Sequence, residues 1–284
     1  MVDSGGQGER RPRSRAFVIR REVRDGRVSG GFVAEDTGSG REVVIRKLMD
    51  RYRTAEERRA VRRRFEALKE FSVPGTVHLR ELLELPKGVF LVEEYVEGVT
   101  LAELIGAYRG SGIGAPPSVI VIVGNQLVRT LNTAHLRGIV HGNLSPRKVL
   151  IDPRRDVKLS DFMFFPPDRD SVVRLGRYAA PELLSEPASV SAHSDTYAAA
   201  MVLLELVAVK SKRDPGRVVL PTWFGKFRPF FTPALARMPE ARTKGLSAIR
   251  DGLAAIETEL LVRRELEELD GILRRLSASH GSRP

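Results

Sequence analysis

An α+β fold in two lobes, β-rich first and helical second, is predicted by three features of the chain. Residues 17–96 carry short apolar runs of strand length separated by turns containing Gly, Pro or Asp, with a single helical tract among them. From residue 100 onward apolar side chains recur at three- and four-residue spacing instead, the helical period. No internal repeat interrupts this order, and 284 residues suffice for one large domain or two small ones with a sizeable core. Strands followed by helices, rather than the two alternating, give an α+β arrangement.

The elements follow in chain order. Strands are expected at 17–23 and 32–35, and the turn Asp36-Thr37-Gly38-Ser39-Gly40 leads into a third at Val43-Val44-Ile45. Residues 54–71 read as a helix opened by Thr54 with Glu57 three residues on, the spacing of a capping box, and Ser72-Val73-Pro74-Gly75 ends it. Residues 77–85 and 89–95 form a hairpin around Pro86-Lys87-Gly88. A short helix at 100–108 and a Gly/Pro loop at 110–117 precede a long helix at 118–137, whose Ile120, Val123, Leu127 and Leu131 make one stripe. Two short strands follow, and 195–209 is apolar nearly all round, the mark of a buried helix. Leu246, Ile249, Leu253 and Ile256 make a last helix of the main body. Leu266, Leu269, Leu273 and Leu276 continue the pattern after a phase shift, and this tract either packs back on the fold or pairs with another chain.

Composition closes several function classes. There is no cysteine, which excludes a disulfide framework, a thiol nucleophile and a thiolate metal site. The longest apolar run, 197–209, is broken by Glu205 and falls short of the roughly 20 residues of a membrane span. Residues 1–15 are rich in Gly, Ser and Arg without an apolar centre and read as a disordered leader, so a cytoplasmic protein is expected. The net charge of +11 is carried mainly by arginine, most densely between Arg51 and Arg64. Glu56, Glu57 and Glu66 are interleaved there, which favours an ion-paired helix surface over a nucleic-acid site, since aromatic interleaving is sparse. No zinc-type His spacing and no Gly-x-Ser-x-Gly elbow occurs.

The run His141-Gly142-Asn143-Leu144-Ser145-Pro146-Arg147-Lys148-Val149-Leu150 carries the functional signal. It resembles the catalytic loop of protein kinases, with the apolar frame kept. Further matches follow in the order that fold requires: 90–98 as the last N-lobe strand and hinge, Asp161-Phe162-Met163 for Asp-Phe-Gly, and Tyr178-Ala179-Ala180-Pro181-Glu182 for the Ala-Pro-Glu segment. Ser194-Asp195-Thr196-Tyr197 resembles the start of the buried helix whose Asp braces the catalytic loop, and Pro239-Glu240-Ala241-Arg242 the turn whose Arg pairs with Glu182. The resemblance implies a bilobal protein-kinase-like fold: an N-lobe at 16–98, a C-lobe at 99–256, and a helical C-terminal extension at 257–284.

The same resemblance implies that the chemistry is altered. The catalytic base, an Asp in active kinases, falls on Asn143, and the second magnesium ligand, an Asn, falls on Lys148. Of the Gly-rich loop only Gly26 survives. The β3 lysine falls on Arg46, which keeps the charge in a longer planar form; Lys47 is adjacent but points to the opposite face unless a bulge intervenes. Its helical carboxylate partner falls on Arg64, so two cations are expected to face each other. Backbone groups near Glu94 and Val96 are expected at an adenine edge, and Asp161 is the metal-binding residue kept in place. The implied protein is a pseudokinase that acts through a protein partner, with ATP as a candidate ligand and a weakened magnesium site as a candidate metal site, nucleotide binding itself being left open. An atypical active Ser/Thr kinase using Asp161 with Arg46 or Lys47 is the alternative, and a basic binding module the third reading.

Overall fold

The computed structural model describes residues 16–23, 31–48, 54–110, 114–162, 168–210, 218–260 and 266–281. Gly26, Arg51, Arg53 and Met163 lie outside them.

The first lobe is one antiparallel sheet of β1 (Phe17–Glu22), β2 (Gly31–Asp36), β3 (Arg41–Lys47), β4 (Leu79–Leu85) and β5 (Gly88–Glu94), in the order β1-β2-β3-β5-β4. Helix α1 (Ala55–Glu70) packs on it. Its start is written in the sequence: Thr54 Oγ1 accepts from Glu57 N at 3.1 Å while Glu57 Oε2 accepts from Thr54 N at 3.0 Å, two otherwise unpaired amides satisfied reciprocally. Val61, Phe65 and Leu68 form the buried stripe of α1, and Val61 and Phe65 pack with Leu48, Val89 and Leu91. Arg62, on the exposed side, forms an ion pair with Glu84 of β4.

The second lobe contains α2 (Leu101–Gly110), α3 (Pro117–Leu136), α4 (Arg169–Leu175), α5 (Pro181–Ser185), α6 (Ala192–Val207), α7 (Arg228–Phe231), α8 (Gly245–Leu260) and α9 (Leu266–Gly281). A small sheet of β6 (Val99–Thr100), β7 (Val149–Ile151) and β8 (Val157–Leu159) lies at its top. Helices α3, α6 and α8 supply most of the core, and α6 is apolar almost all round as its sequence requires. Both ends of α6 differ from expectation, and α8 runs to Leu260, past the expected end of the main body at Ile256. Helix α6 begins at Ala192, because Ser194 Oγ accepts from the amide of Ser191 at 2.8 Å and closes an earlier first turn. It ends at Val207, because Val209–Lys210 leaves as a strand, β9, paired with β10 (Val218–Val219).

Helix α9 packs in cis. Leu269, Ile272 and Leu273 are buried in the main core. At its C-terminal end His280 Nε2 lies 2.6 Å from Glu103 Oε1, and Arg155 Nε lies 3.4 Å from Asp270 Oδ1. No helix among the described residues is long and apolar enough to cross a membrane.

Candidate functional site

The site lies between the lobes, and strand register decides its upper wall. Val44 pairs with Glu93 and Arg46 with Leu91, without a bulge between them. Directly opposed residues on antiparallel strands project to the same side, so Arg46 and Glu93 share the face that looks onto the cleft. Lys47 projects the other way and is exposed, near Gly88, so the bulge that would have exchanged it with Arg46 does not occur.

The lower wall is set by α6. Asp195 is buried at the start of that helix, where its carboxylate accepts from the amides of His141 and Gly142, each at 2.7 Å, and lies 2.9 Å from His135 Nε2. Gly142 has φ +70°, a left-handed conformation that glycine takes without a Cβ penalty. His141 is fully buried and stacks on Phe162 at 4.4 Å between ring centroids, and Phe162 meets Phe71 edge-on at 5.9 Å. Burial holds the imidazole below its ordinary pKa, with Asp195 pulling the other way. His141 is therefore a packed, architectural residue.

Asp161 stands where these walls meet. Its φ of +63° is uncommon for a residue with a side chain and turns the carboxylate into the cleft. Two cations and an amide converge on it: Arg46 Nη2 forms an ion pair at 2.8 Å, Lys148 Nζ another at 2.7 Å, and Asn143 Nδ2 donates at 2.9 Å. Lys148 ends a 3₁₀ turn whose carbonyl accepts from Ser160 N at 2.9 Å, so the residue before Asp161 is pinned to Lys148. Burial alone would raise the Asp161 carboxyl, but the charges of Arg46 and Lys148 outweigh it and hold the pKa at about 2.

The structure thus brings Arg46, Asn143, Lys148 and Asp161 together. Arg64 does not face Arg46 as a second cation. Its guanidinium turns to the C-lobe and donates to the carbonyl of Val140 at 3.4 Å, while burial lowers its pKa. Arg46 turns instead toward acids, since two like charges repel and Asp161 and Glu93 lie within reach. Glu93, which sequence reasoning passed over, is only 3% exposed and lies 3.7 Å from Arg46 Nε. Burial raises its pKa and Arg46 opposes the rise. The signal that could have found it was the strand alternation, which puts Glu93 on the same face as buried Leu91. The side chain of Glu94 is held away from the cleft cations by Lys158 Nζ at 2.7 Å and the amide of His78 at 3.0 Å. Val96 is buried at the hinge.

This donor set does not fit magnesium, which requires several oxygen ligands in near-octahedral array. Here a single carboxylate on the cleft floor is already bonded to two cations, and the described residues hold no group of three potential ligands for a metal. Val23, Val33 and Val44 cluster with Tyr95, and Arg46 and Lys148 face the carboxylates of Asp161 and Glu93.

A five-stranded lobe with one helix, a helical lobe, and a loop braced by a buried helix Asp define a protein of the two-lobed kinase class. One further pair belongs to that frame: Arg242, 1% exposed, grips Glu182 with Nη1–Oε1 at 2.7 Å and Nη2–Oε2 at 2.9 Å. The protein kinase domain model matches residues 17–214, and the chain belongs to the protein kinase family. It is 31% identical over 199 residues to serine/threonine-protein kinase PrkC of Bacillus subtilis, covering 67% of this chain and 30% of that protein. It is 27% identical over 218 residues to CBL-interacting protein kinase 8 of Oryza sativa, covering 74% of this chain and 47% of that one. The chain thus spans less than half the length of either relative. In fold it is similar to the Mycobacterium tuberculosis PknI kinase domain, with a TM-score of 0.65 at 20% identity over 84% of this chain and 96% of that one.

Proposed function

We propose that this protein-kinase-family chain is a pseudokinase, impaired in phosphoryl transfer, that works as a regulatory or scaffolding partner of another protein. The observation that carries the reading is the convergence of Arg46, Lys148 and Asn143 on Asp161. A general base has to accept a proton. Asn143 is a neutral amide and spends its NH2 group as a donor to Asp161. Lys148 brings a positive charge to the position of a metal ligand, and with Arg46 it neutralises the carboxylate that would otherwise recruit a cation.

ATP binds this cleft without magnesium. Arg46 and Lys148 hold the phosphates, the backbone near Glu94 and Val96 meets the adenine edge, and Val23, Val33 and Val44 cover the ring. Bound ATP would supply the transferable phosphoryl group, and among the described residues Asn143, at the position of the base, cannot deprotonate an acceptor hydroxyl for it. A competing reading, an atypical Ser/Thr kinase using Asp161 with Arg46, draws on the 2.8 Å pairing of these two residues in the cleft.

Two measurements separate them. In a thermal-shift titration, ATP is expected to raise the melting temperature equally with magnesium and with EDTA; a shift seen only with magnesium contradicts the metal-free site. With radiolabelled ATP and broad protein substrates no turnover is expected, and robust transfer abolished by Asp161→Ala overturns the pseudokinase reading.

A further inference from the structure

In the resemblance traced above, the β3 cation is paired by a carboxylate of the helix, so the position of the helix sets the state of the cleft. This chain has no acid to offer from α1. Glu56 is exposed in the first turn, Glu57 is bonded in the capping box, and Glu66 and Glu70 line a groove on the outer surface with Arg58 and Arg62. The residues that α1 and its C-cap present to the recess around Arg46 are Leu68 and Phe71, both apolar. Arg64 reaches past the cleft to the carbonyl of Val140.

We infer that Glu93 of β5 is the positioning residue for Arg46, replacing the helical carboxylate, and that the charge cluster of the cleft is thereby uncoupled from α1. Two strands that pair directly, β3 and β5, carry Arg46 and Glu93, so their separation is fixed by sheet register. With Nε turned to Glu93, the planar guanidinium presents Nη2 to Asp161. Both side chains are nearly dry, 11% and 5% exposed, so this pair is far less screened than a surface ion pair. Displacing α1 would break apolar contacts and the Arg64–Val140 bond and would leave Arg46 in place. A partner that pulls on α1 therefore does not switch the cleft, and a ligand in the cleft does not report to α1 through this pair.

The test uses the full chain without nucleotide, so its result is independent of whether the cleft binds ATP or transfers phosphate. The readout is the ¹⁵Nε–¹Hε signal of Arg46, assigned by its loss in Arg46→Lys, and its solvent exchange rate. Glu93→Met is expected to speed that exchange about tenfold or more, because the guanidinium loses the buried opposite charge 3.7 Å from Nε that holds it in place. Adding Arg64→Glu to Glu93→Met is expected not to restore the slow exchange, and Arg64→Ala alone is expected to leave it unchanged. Should Glu93→Met not fold, the isosteric Glu93→Gln serves, with acceleration in the same direction. An Arg46 signal unaffected by both Glu93 substitutions, restored by Arg64→Glu, or lost in Arg64→Ala overturns the inference.

Discussion

Replacing Asp161 by asparagine keeps the shape of the side chain and removes the charge on which Arg46 and Lys148 converge. The carboxyl has its pKa lowered from 3.8 to about 2 in the fold. A depressed acid contributes stability that is complete above its unfolded pKa and is lost as pH falls through its folded one. At about 1.36 kcal/mol per pKa unit, the shift corresponds to about 2 kcal/mol at neutral pH. The Asp161 side chain is 22% exposed, which leaves most of that figure unscreened. Urea denaturation of both proteins across the acid range measures it. Asp161→Asn is expected to lose about 2 kcal/mol at pH 7, and the gap to the parent chain is expected to fall to about half by pH 3. The physical reason for the loss is that two cations brought together by one carboxylate face each other once it is neutral. A variant as stable as the parent at pH 7, or a gap that does not change with pH, refutes the claim that Asp161 is held by its cations.

Other substitutions probe the frame. Arg242→Ala leaves Glu182 part-buried without its cation and is expected to cost about 3–5 kcal/mol, measured by chemical denaturation. Gly142→Ala places a Cβ at φ +70° and is expected to cost roughly 1–2 kcal/mol, visible as a lower melting temperature. Thr54→Ala removes one half of the α1 capping box and is expected to cost about 1 kcal/mol. Leu273→Ala is expected to cost roughly 2–5 kcal/mol at every protein concentration, because α9 docks on its own chain; a loss that depends on concentration would point to pairing in trans.

Interactions set by local spacing were legible before any coordinates. The capping box of Thr54 and Glu57 needs only three residues of chain, and it forms. The Arg242–Glu182 pair and the brace of Asp195 on the loop amides were readable through family motifs, since each sits in a short recognisable run. The bounds of α6 were less legible, because Ser191 and Ser194 start the helix through a hydrogen bond that any of several serines could have made. Arg64 was expected to face Arg46, and its actual partner was not foreseeable: the carbonyl of Val140 lies 76 residues away in sequence.

The sequence by itself determined the two-lobed order of elements, the kinase-like frame, and the residue types at each catalytic position: Asn143 where a base is expected, Lys148 where a metal ligand is expected, and Arg46 on the third strand. Only the tertiary structure decided how those charges are distributed. Whether Arg46 and Lys148 repel each other or share Asp161, and whether Arg46 takes its second acid from α1 or from Glu93, depends on cross-strand register and on distances of a few ångströms between distant parts of the chain. Coulomb energy varies inversely with separation and with local dielectric, and neither quantity is written along the sequence.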